Sequence, residues 1–190
     1  MSNVGLYLGT FNPIHNGHIT LAEYFSKLPE LDEVLVVISP QSPFKKEIEL
    51  ISEEDRLKIA ETVFKKFDNV RVSDIEFKMS KPNFTIDTLK EFKKRHKYNN
   101  LILLVGEDNL VGFNKWKDYK KIIEIAEVYV YPRDTDQKIP NEILSNNNIK
   151  LVDAPKIKIS SSRIRELIKS KQSIDSMVPK EVMKFLKLNN

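Results

Sequence analysis

The chain has 190 residues and no cysteine, which excludes disulfide bonds and thiolate metal centres. One hydrophobic core accounts for this length, so we expect a single domain over residues 1–190. The net charge of +4 does not predict a nucleic-acid partner, because the lysines alternate with acidic residues along solvated helix faces. No apolar run approaches the roughly 18 residues of a membrane span. The chain also opens without a charged-then-apolar leader, and we expect a soluble, cytoplasmic protein with no membrane contact.

Short apolar runs alternate with amphipathic helical patterns along the chain. Six runs are mostly continuous in hydrophobicity, which indicates strands buried on both faces: 4–8, 33–39, 70–73, 101–105, 127–131 and 149–152. The helical patterns cover 17–28, 53–67, 86–96, 118–126, 163–169 and 179–188. This alternation predicts an α/β fold, a Rossmann-like open parallel sheet with helices on both faces. Such sheets bind ligands beyond the carboxyl ends of their strands. The polar segment 134–148 is expected to be a mobile surface loop.

Segment 9–18, with the sequence GTFNPIHNGH, follows the first predicted strand and holds two of the three histidines. A turn through Asn12 and Pro13, followed by a helix from about Gly17, places His15 and His18 at a helix N-terminus. Exposed backbone N–H groups, the positive end of the helix dipole and two rings that can carry charge favour a polyphosphate ligand.

A metal site is the competing interpretation of a histidine pair. Tetrahedral zinc needs three or four protein ligands, but the chain has no cysteine and only one further histidine, His96, in a basic run. We therefore predict no metal site formed by the chain itself.

Polar motifs also follow later strands. Lys45 and Lys46 lie in the loop after the second strand, and Arg133 lies just after the fifth. The motif that begins at Gly106 and contains Asp108 follows the fourth strand. By itself it is typical of a helix cap, in which the aspartate satisfies backbone donors.

Two further positions each have a structural and a functional interpretation. Thr85 is predicted to be the N-cap of helix 86–96, and a helix N-terminus is also an anion site. Trp116, the only tryptophan, has a lysine on either side, so one face of its ring is expected near solvent. Its alternatives are packing in the core and stacking on a ligand.

The last motif covers residues 159–165, ISSSRIR. Three consecutive hydroxyls at a helix start are typical of a capping cluster. Together with the histidine pair they indicate a phosphate cradle, in which Arg165 would provide a charged fork. Arg163 is predicted to lie on another face of the helix and to matter less.

These motifs, in this order, resemble the (T/H)-x-G-H nucleotidyltransferases of the HIGH superfamily, and among them the bacterial nicotinate mononucleotide adenylyltransferases. Segment 159–165 is similar to the superfamily pattern I-S-S-T-x-I-R, with Ser162 in place of threonine. The family more often has aspartate at the position of Asn12. Histidine rather than threonine at position 15 argues against the phosphopantetheine branch.

The resemblance implies roles for particular residues. Catalytic roles fall on His15, His18, Lys46 and Arg165. Contacts with ATP fall on Gly9, Thr10, Phe11, His15, His18, Gly106, Asp108, Ile159, Ser160, Ser161, Ser162 and Arg165. Contacts with the second substrate fall on Asn12, Lys45, Lys46, Thr85, Trp116 and Arg133. The resemblance implies that backbone N–H groups near Thr85 receive a carboxylate and that Trp116 stacks on a pyridine ring. The loop with Lys45 and Lys46 departs from the family pattern because it lacks a histidine.

The implied reaction is transfer of the adenylyl group from ATP, carried with Mg²⁺, to nicotinate mononucleotide, giving deamido-NAD and pyrophosphate. The alternatives are a related adenylyltransferase acting on nicotinamide mononucleotide or phosphopantetheine, and a non-catalytic nucleotide-binding regulator. The sequence does not decide between a monomer and a homo-oligomer.

Overall fold

The computed structural model describes residues 2–40, 51–95 and 100–188. Within these ranges six parallel strands form one sheet in the order β3-β2-β1-β4-β5-β6. The strands are β1 (Asn3–Gly9), β2 (Glu33–Ile38), β3 (Val70–Ser73), β4 (Asn100–Gly106), β5 (Ala126–Tyr131) and β6 (Ile149–Leu151). All six predicted strands are confirmed, with ends that differ by at most one residue.

The strand order explains where a ligand site can form. The sheet grows from β1 through β2 to β3, and then resumes on the other side of β1 with β4. Connections that leave β1 and β4 therefore diverge to opposite faces and open a crevice at the carboxyl ends of these strands. Gly9 ends β1 and Gly106 ends β4, so both glycines lie at this edge.

Both faces of the sheet are covered, as the continuous apolar strands predict. Tyr7 packs on one face in a cluster that contains Phe25, while Leu6 packs on the other face in a cluster that contains Phe113. Successive side chains of a strand point to opposite faces, so β1 needs apolar residues at consecutive positions. This requirement accounts for the unbroken hydrophobic runs.

Eight helices cover the sheet within the described ranges, and none is long and apolar enough to span a membrane. They are α1 (Asn16–Ser26), α2 (Glu53–Phe64), α3 (Thr85–Arg95), α4 (Glu107–Leu110), α5 (Tyr119–Ile125), α6 (Asn141–Leu144), α7 (Ser161–Lys169) and α8 (Lys180–Leu188). Single 3₁₀ turns occur at Ile75–Lys78 and Phe113–Lys115. The Ser52 hydroxyl accepts from the backbone N–H of Asp55 at 3.1 Å and caps the start of α2.

Thr85 was predicted to be an N-cap, and that prediction is wrong by one position. The carbonyl of Phe84 accepts hydrogen bonds from the N–H groups of Asp87 and Thr88, at 2.9 and 3.2 Å. Helix α3 therefore begins at Thr85 itself. The backbone N–H groups of Thr85 and Ile86 are then among those that have no partner inside the helix.

The predicted surface loop 134–148 contains an ordered turn of helix. Helix α6 places Ile143 in the core with only 1 % of its surface exposed, whereas Leu144 beside it is 42 % exposed. Ile143 thus fixes, with the half-buried Ile139 packed on the same cluster, a segment whose composition is otherwise typical of a loop.

This pair provides a matched test of packing in that segment. Ile143→Ala should lower the free energy of unfolding by about 2–5 kcal/mol, because it removes buried methyl groups and leaves a cavity. Leu144→Ala should change it by no more than about 0.5 kcal/mol. Urea unfolding followed by circular dichroism measures both values, and equal effects of the two substitutions would contradict the packing described here.

Candidate active site

A cavity of about 400 Å³ lies at the carboxyl edge of the sheet. Its lining includes thirteen of the residues predicted from the sequence: Gly9, Thr10, Phe11, His15, His18, Thr85, Asp108, Trp116, Arg133, Ser160, Ser161, Ser162 and Arg165. Residues distant in sequence thus meet at one place. Lys45 and Lys46 fall outside the described residues, so their predicted contacts stay predictions.

Among the described residues, the lining does not include Asn12, Gly106 or Ile159, which were predicted to bind ligands directly. The carbonyls of Asn12 and Ile159 instead accept hydrogen bonds from two arginines that do line the cavity. Arg165 Nη1 donates to Asn12 at 2.8 Å, and Arg133 Nη1 donates to Ile159 at 3.3 Å.

The two histidines cap the helix that carries them. His18 N–H donates to Nδ1 of His15 at 3.3 Å, and His15 N–H donates to Nδ1 of His18 at 3.2 Å. The rings stack with centroids 3.5 Å apart. Because both Nδ1 atoms accept hydrogen bonds, the proton of each neutral ring resides on Nε2. In this tautomer each imidazole carries its N–H donor at Nε2.

The prediction that both rings can be cationic is wrong for His15. His15 is 3 % exposed, and burial, reinforced by the nearby Arg133 guanidinium, lowers its pKa to about 3. A proton on Nδ1 would also abolish the hydrogen bond that this atom accepts from the backbone. His15 is thus neutral near pH 7 and offers the cavity a dipole instead of a charge.

Glycine is required at the start of α1 for reasons of space. A Cβ atom on Gly17 would lie 2.2 Å from Cγ2 of Ile157, which is closer than such atoms approach. The segment before α7 therefore packs directly against the histidine turn. Two hydrogen bonds reinforce the contact, because Ser161 Oγ donates to the carbonyl of Pro13 at 3.0 Å and Arg165 binds Asn12.

The start of α7 combines capping with ligand-facing groups. Ser160 Oγ accepts from the N–H of Arg163 at 3.2 Å, which places the helix start two residues earlier than predicted. Arg165 Nη2 donates to Ser162 Oγ at 3.1 Å. Arg163 is exposed and pairs with Glu166 at 3.2 Å, so the two arginines occupy different faces, as predicted.

Asp108 and Arg133 lie together at the ends of β4 and β5. Their charged groups are 3.7 Å apart, and Arg133 Nη1 also donates to the carbonyl of Ile157 at 3.0 Å. A Cβ atom on Gly106 would lie 2.5 Å from Oδ1 of Asp108, so glycine leaves the room that this carboxylate occupies. Arg133 lines the cavity beside Asp108 and the segment before α7, and its predicted contact with the second substrate stays a prediction.

Thr85 and Trp116 belong to the other end of the cavity. Trp116 packs partly into the cluster on the face that carries α3, and its ring lies 5.1 Å from the buried ring of Phe113. The indole is half-buried and lines the cavity, so core packing and ligand contact are both available to it.

The cytidylyltransferase-like family model matches residues 6–167 of this chain. A protein of Flavobacterium psychrophilum named "Probable nicotinate-nucleotide adenylyltransferase" is 37 % identical over 98 % of this chain and 97 % of its own. A protein of the same name from Cytophaga hutchinsonii is 39 % identical over 96 % and 94 %. The chain belongs to the nicotinate-nucleotide adenylyltransferase family.

Solved structures share the fold. Nicotinic acid mononucleotide adenylyltransferase of Plasmodium falciparum, complexed with NaAD, is 22 % identical and superposes with a TM-score of 0.81. The superposition covers 100 % of this chain and 97 % of the other. It confirms the α/β architecture predicted from the strand and helix pattern.

In this family member, two buried charged residues that sequence reasoning missed support the cavity. Arg56 of α2 is 5 % exposed and donates to three carbonyls, those of Thr10, Ser39 and Pro40, two of them at 2.8 and 3.0 Å. It therefore holds the turn after β1 against the end of β2. Its only sequence signal is an arginine among the positions of α2 that face the core.

Glu76 is the second missed residue. It is 2 % exposed, lines the cavity and accepts from Thr88 Oγ1 at 2.6 Å. Its backbone carbonyl accepts from the Asn83 amide at 3.1 Å. Burial raises the pKa of Glu76, although hydrogen bonds from Thr88 and Ser39 lower it. These contacts hold α3 against the loop that precedes it.

The buried cap makes the stability of this adenylyltransferase depend on pH. The pKa of His15 is near 6.5 when unfolded and about 3 when folded, so the unfolded chain binds more protons between these values. Stability is therefore present above pH 6.5 and is lost as the pH falls. From pH 7 to 5.5 this histidine should contribute a loss of about 1 kcal/mol. His15→Asn keeps a capping oxygen without titrating and should reduce the loss by that amount. Urea unfolding at both pH values decides, and an unchanged pH dependence would contradict a buried neutral His15.

Proposed function

We propose that the protein transfers the adenylyl group of ATP to nicotinate mononucleotide and forms deamido-NAD and pyrophosphate, a step of NAD synthesis. One observation carries the proposal. A histidine pair and a serine-rich helix start with its arginine meet in one cavity, in a chain 37 % identical over 98 % of its length to a protein named for this reaction. The two substrates, ATP and nicotinate mononucleotide, are small molecules.

The reaction needs positioning and charge stabilisation more than covalent chemistry. A phosphate oxygen of nicotinate mononucleotide attacks the α-phosphorus of ATP, and the bond from that phosphorus to the oxygen of pyrophosphate breaks in line. The phosphoryl transition state spreads negative charge over its oxygens. The protein must therefore bring two anions together and bind the charge that develops on the leaving group.

The N-terminus of α1 and the start of α7 are suited to this task. His15 and His18 present Nε2–H groups beside the positive end of the α1 dipole. We assign these donors to the phosphates of ATP, and the hydroxyls of Ser160 and Ser162, the backbone N–H of Ser161 and Arg165 to the leaving pyrophosphate. Lys45 and Lys46 fall outside the described residues, and the charge expected of them stays a prediction.

The remaining ATP contacts follow from position. We assign Asp108, whose carboxylate occupies the space that Gly106 leaves open, as the acceptor of hydrogen bonds from the ribose hydroxyls. The nucleotide would also contact Gly9 and its neighbours Thr10 and Phe11. Magnesium would enter as the ATP complex, bound by phosphate oxygens and water. Magnesium therefore belongs to the substrate and not to the chain.

The second substrate would occupy the α3 end. We assign its pyridine ring to stacking on Trp116 and its carboxylate to the first backbone N–H groups of α3, at Thr85 and Ile86. Two carboxylate oxygens match N–H donors, whereas a carboxamide must turn an NH₂ group toward at least one of them. Each unpaired buried donor costs about 1–3 kcal/mol.

Turnover against a panel of acceptors tests the function. With ATP and magnesium, kcat/KM should be about 10²-fold higher for nicotinate mononucleotide than for nicotinamide mononucleotide, because the amide leaves donors unpaired. Pyrophosphate release measures each reaction. Equal use of acid and amide would contradict the carboxylate assignment. A preference for phosphopantetheine would assign the protein to the phosphopantetheine branch of the superfamily. No pyrophosphate release with any acceptor would favour a non-catalytic regulator.

The arginines of α7 offer a matched pair for the phosphate assignment. Arg165→Lys keeps the charge but loses the planar fork, and KM for ATP should rise about tenfold with little change in melting temperature. Arg163→Lys on the exposed face should leave KM for ATP within about twofold. Steady-state kinetics and thermal unfolding check both variants. A large loss of stability with unchanged KM in Arg165→Lys would make its bonds to Asn12 and Ser162 purely structural.

A further inference from the structure

Lys117 follows the tryptophan at the α3 end of the cavity and belongs to the cavity lining. Its Nζ lies 2.7 Å from Oδ2 of Asp87 and 4.7 Å from the centroid of the Phe84 ring. Phe84 immediately precedes α3, and Asp87 lies in the first turn of that helix. The ammonium group of Lys117 is therefore held over the N-terminus of α3.

The cations around the cavity are divided between its two ends. Arg165 and Arg133 are bound to carbonyls of the histidine turn and of the segment before α7. Among the described residues that line the cavity, Lys117 is the lysine or arginine at the α3 end. The positive charge of its side chain adds to the helix dipole at the place where backbone donors meet the cavity.

We propose that Lys117 determines acceptor specificity by placing its positive charge next to the ring carboxylate of the acceptor. Asp87 competes with that carboxylate for the ammonium group of Lys117. This inference rests on the proposed function, because it needs a pyridine carboxylate at the start of α3. Lys117 contributes to recognition of the acid and contributes nothing comparable to the neutral carboxamide.

The existing ion pair permits this exchange of partners. The side chains of Lys117 and Asp87 are 46 % and 36 % exposed, and ion pairs with that exposure are weak. A substrate carboxylate in the partly dehydrated cavity binds an ammonium group more strongly than a solvated aspartate does. The stem of Lys117 over Phe84 directs the ammonium without fixing it to Asp87.

Opposite effects of two substitutions separate this role from a structural one. Lys117→Met keeps the apolar stem over Phe84 and removes the charge, so kcat/KM for nicotinate mononucleotide should fall about three- to tenfold, which corresponds to one charge-assisted contact. The value for nicotinamide mononucleotide should stay within about twofold. Asp87→Asn removes the competing anion and should raise the acid-to-amide ratio about twofold or more.

The experiment measures kcat/KM for acid and amide with wild type, Lys117→Met, Asp87→Asn and the control Lys115→Met. Lys115 lies in the same loop, is exposed and is outside the described cavity lining, so its substitution should leave the ratio unchanged. Raising the salt concentration should lower the ratio of the wild type more than that of Lys117→Met, since screening acts on the charge. Melting temperatures confirm that every variant is folded.

The inference is overturned if Lys117→Met leaves the acid-to-amide ratio within twofold of wild type. It is also overturned if Lys117→Met and Asp87→Asn both lower the values for acid and amide alike, because the ion pair would then only brace the Trp116 loop. Failure of the wild type to use either mononucleotide would instead contradict the proposed function. The two failures are therefore distinguishable.

Discussion

The reciprocal cap between His15 and His18 is the constraint on which the site depends. Two backbone N–H groups at the start of α1 consume both Nδ1 atoms, and this fixes the tautomer, the ring orientation and the stacking at 3.5 Å. A buried neutral His15 then follows, because its protonation would break the cap in a poorly solvated place. What α1 offers a phosphate is therefore a set of oriented donors and a helix dipole, which need no reorganisation when charge develops.

Several loops must remain in register with this cap, and charged side chains hold them. Arg56 donates hydrogen bonds to carbonyls that follow β1 and β2, and Arg165 of α7 donates to the carbonyl of Asn12. Carbonyls at the ends of parallel strands have lost their ladder partners, and a guanidinium supplies up to five donors to satisfy them. The close approach of Ile157 to Gly17 completes the connection. The end of the cavity formed by α1 and the start of α7, to which we assigned the phosphates and which we call the phosphate end, is thus one packed unit.

How much of the fold and of the site can be predicted from the sequence depends on how far apart in the chain the interacting residues lie. Strands were predictable because burial on both faces forces unbroken apolar runs, and the His15 and Ser160 motifs were recognisable because their spacing reflects local helix capping. Arg56 and Glu76 were not, because their partners lie 7 to 46 residues away and a buried charge looks like a surface charge in the sequence. The neutrality of His15 escaped for the same reason. It follows from burial, which tertiary packing alone decides.

The two ends of the cavity are built on opposite faces of the sheet, and this separation has a chemical consequence. Ile159 and Ile164 anchor the phosphate end in one hydrophobic cluster, while Ile86 and Trp116 anchor the α3 end in the other. Under the proposed function, substitutions at the α3 end would alter which ring the site accepts without moving the donors on α1 and α7. Because adenylyl transfer requires only that a phosphate reach the α-phosphorus, recognition of the acceptor can differ while the chemistry stays the same. The fold thus lets acceptor choice vary independently of the transfer step.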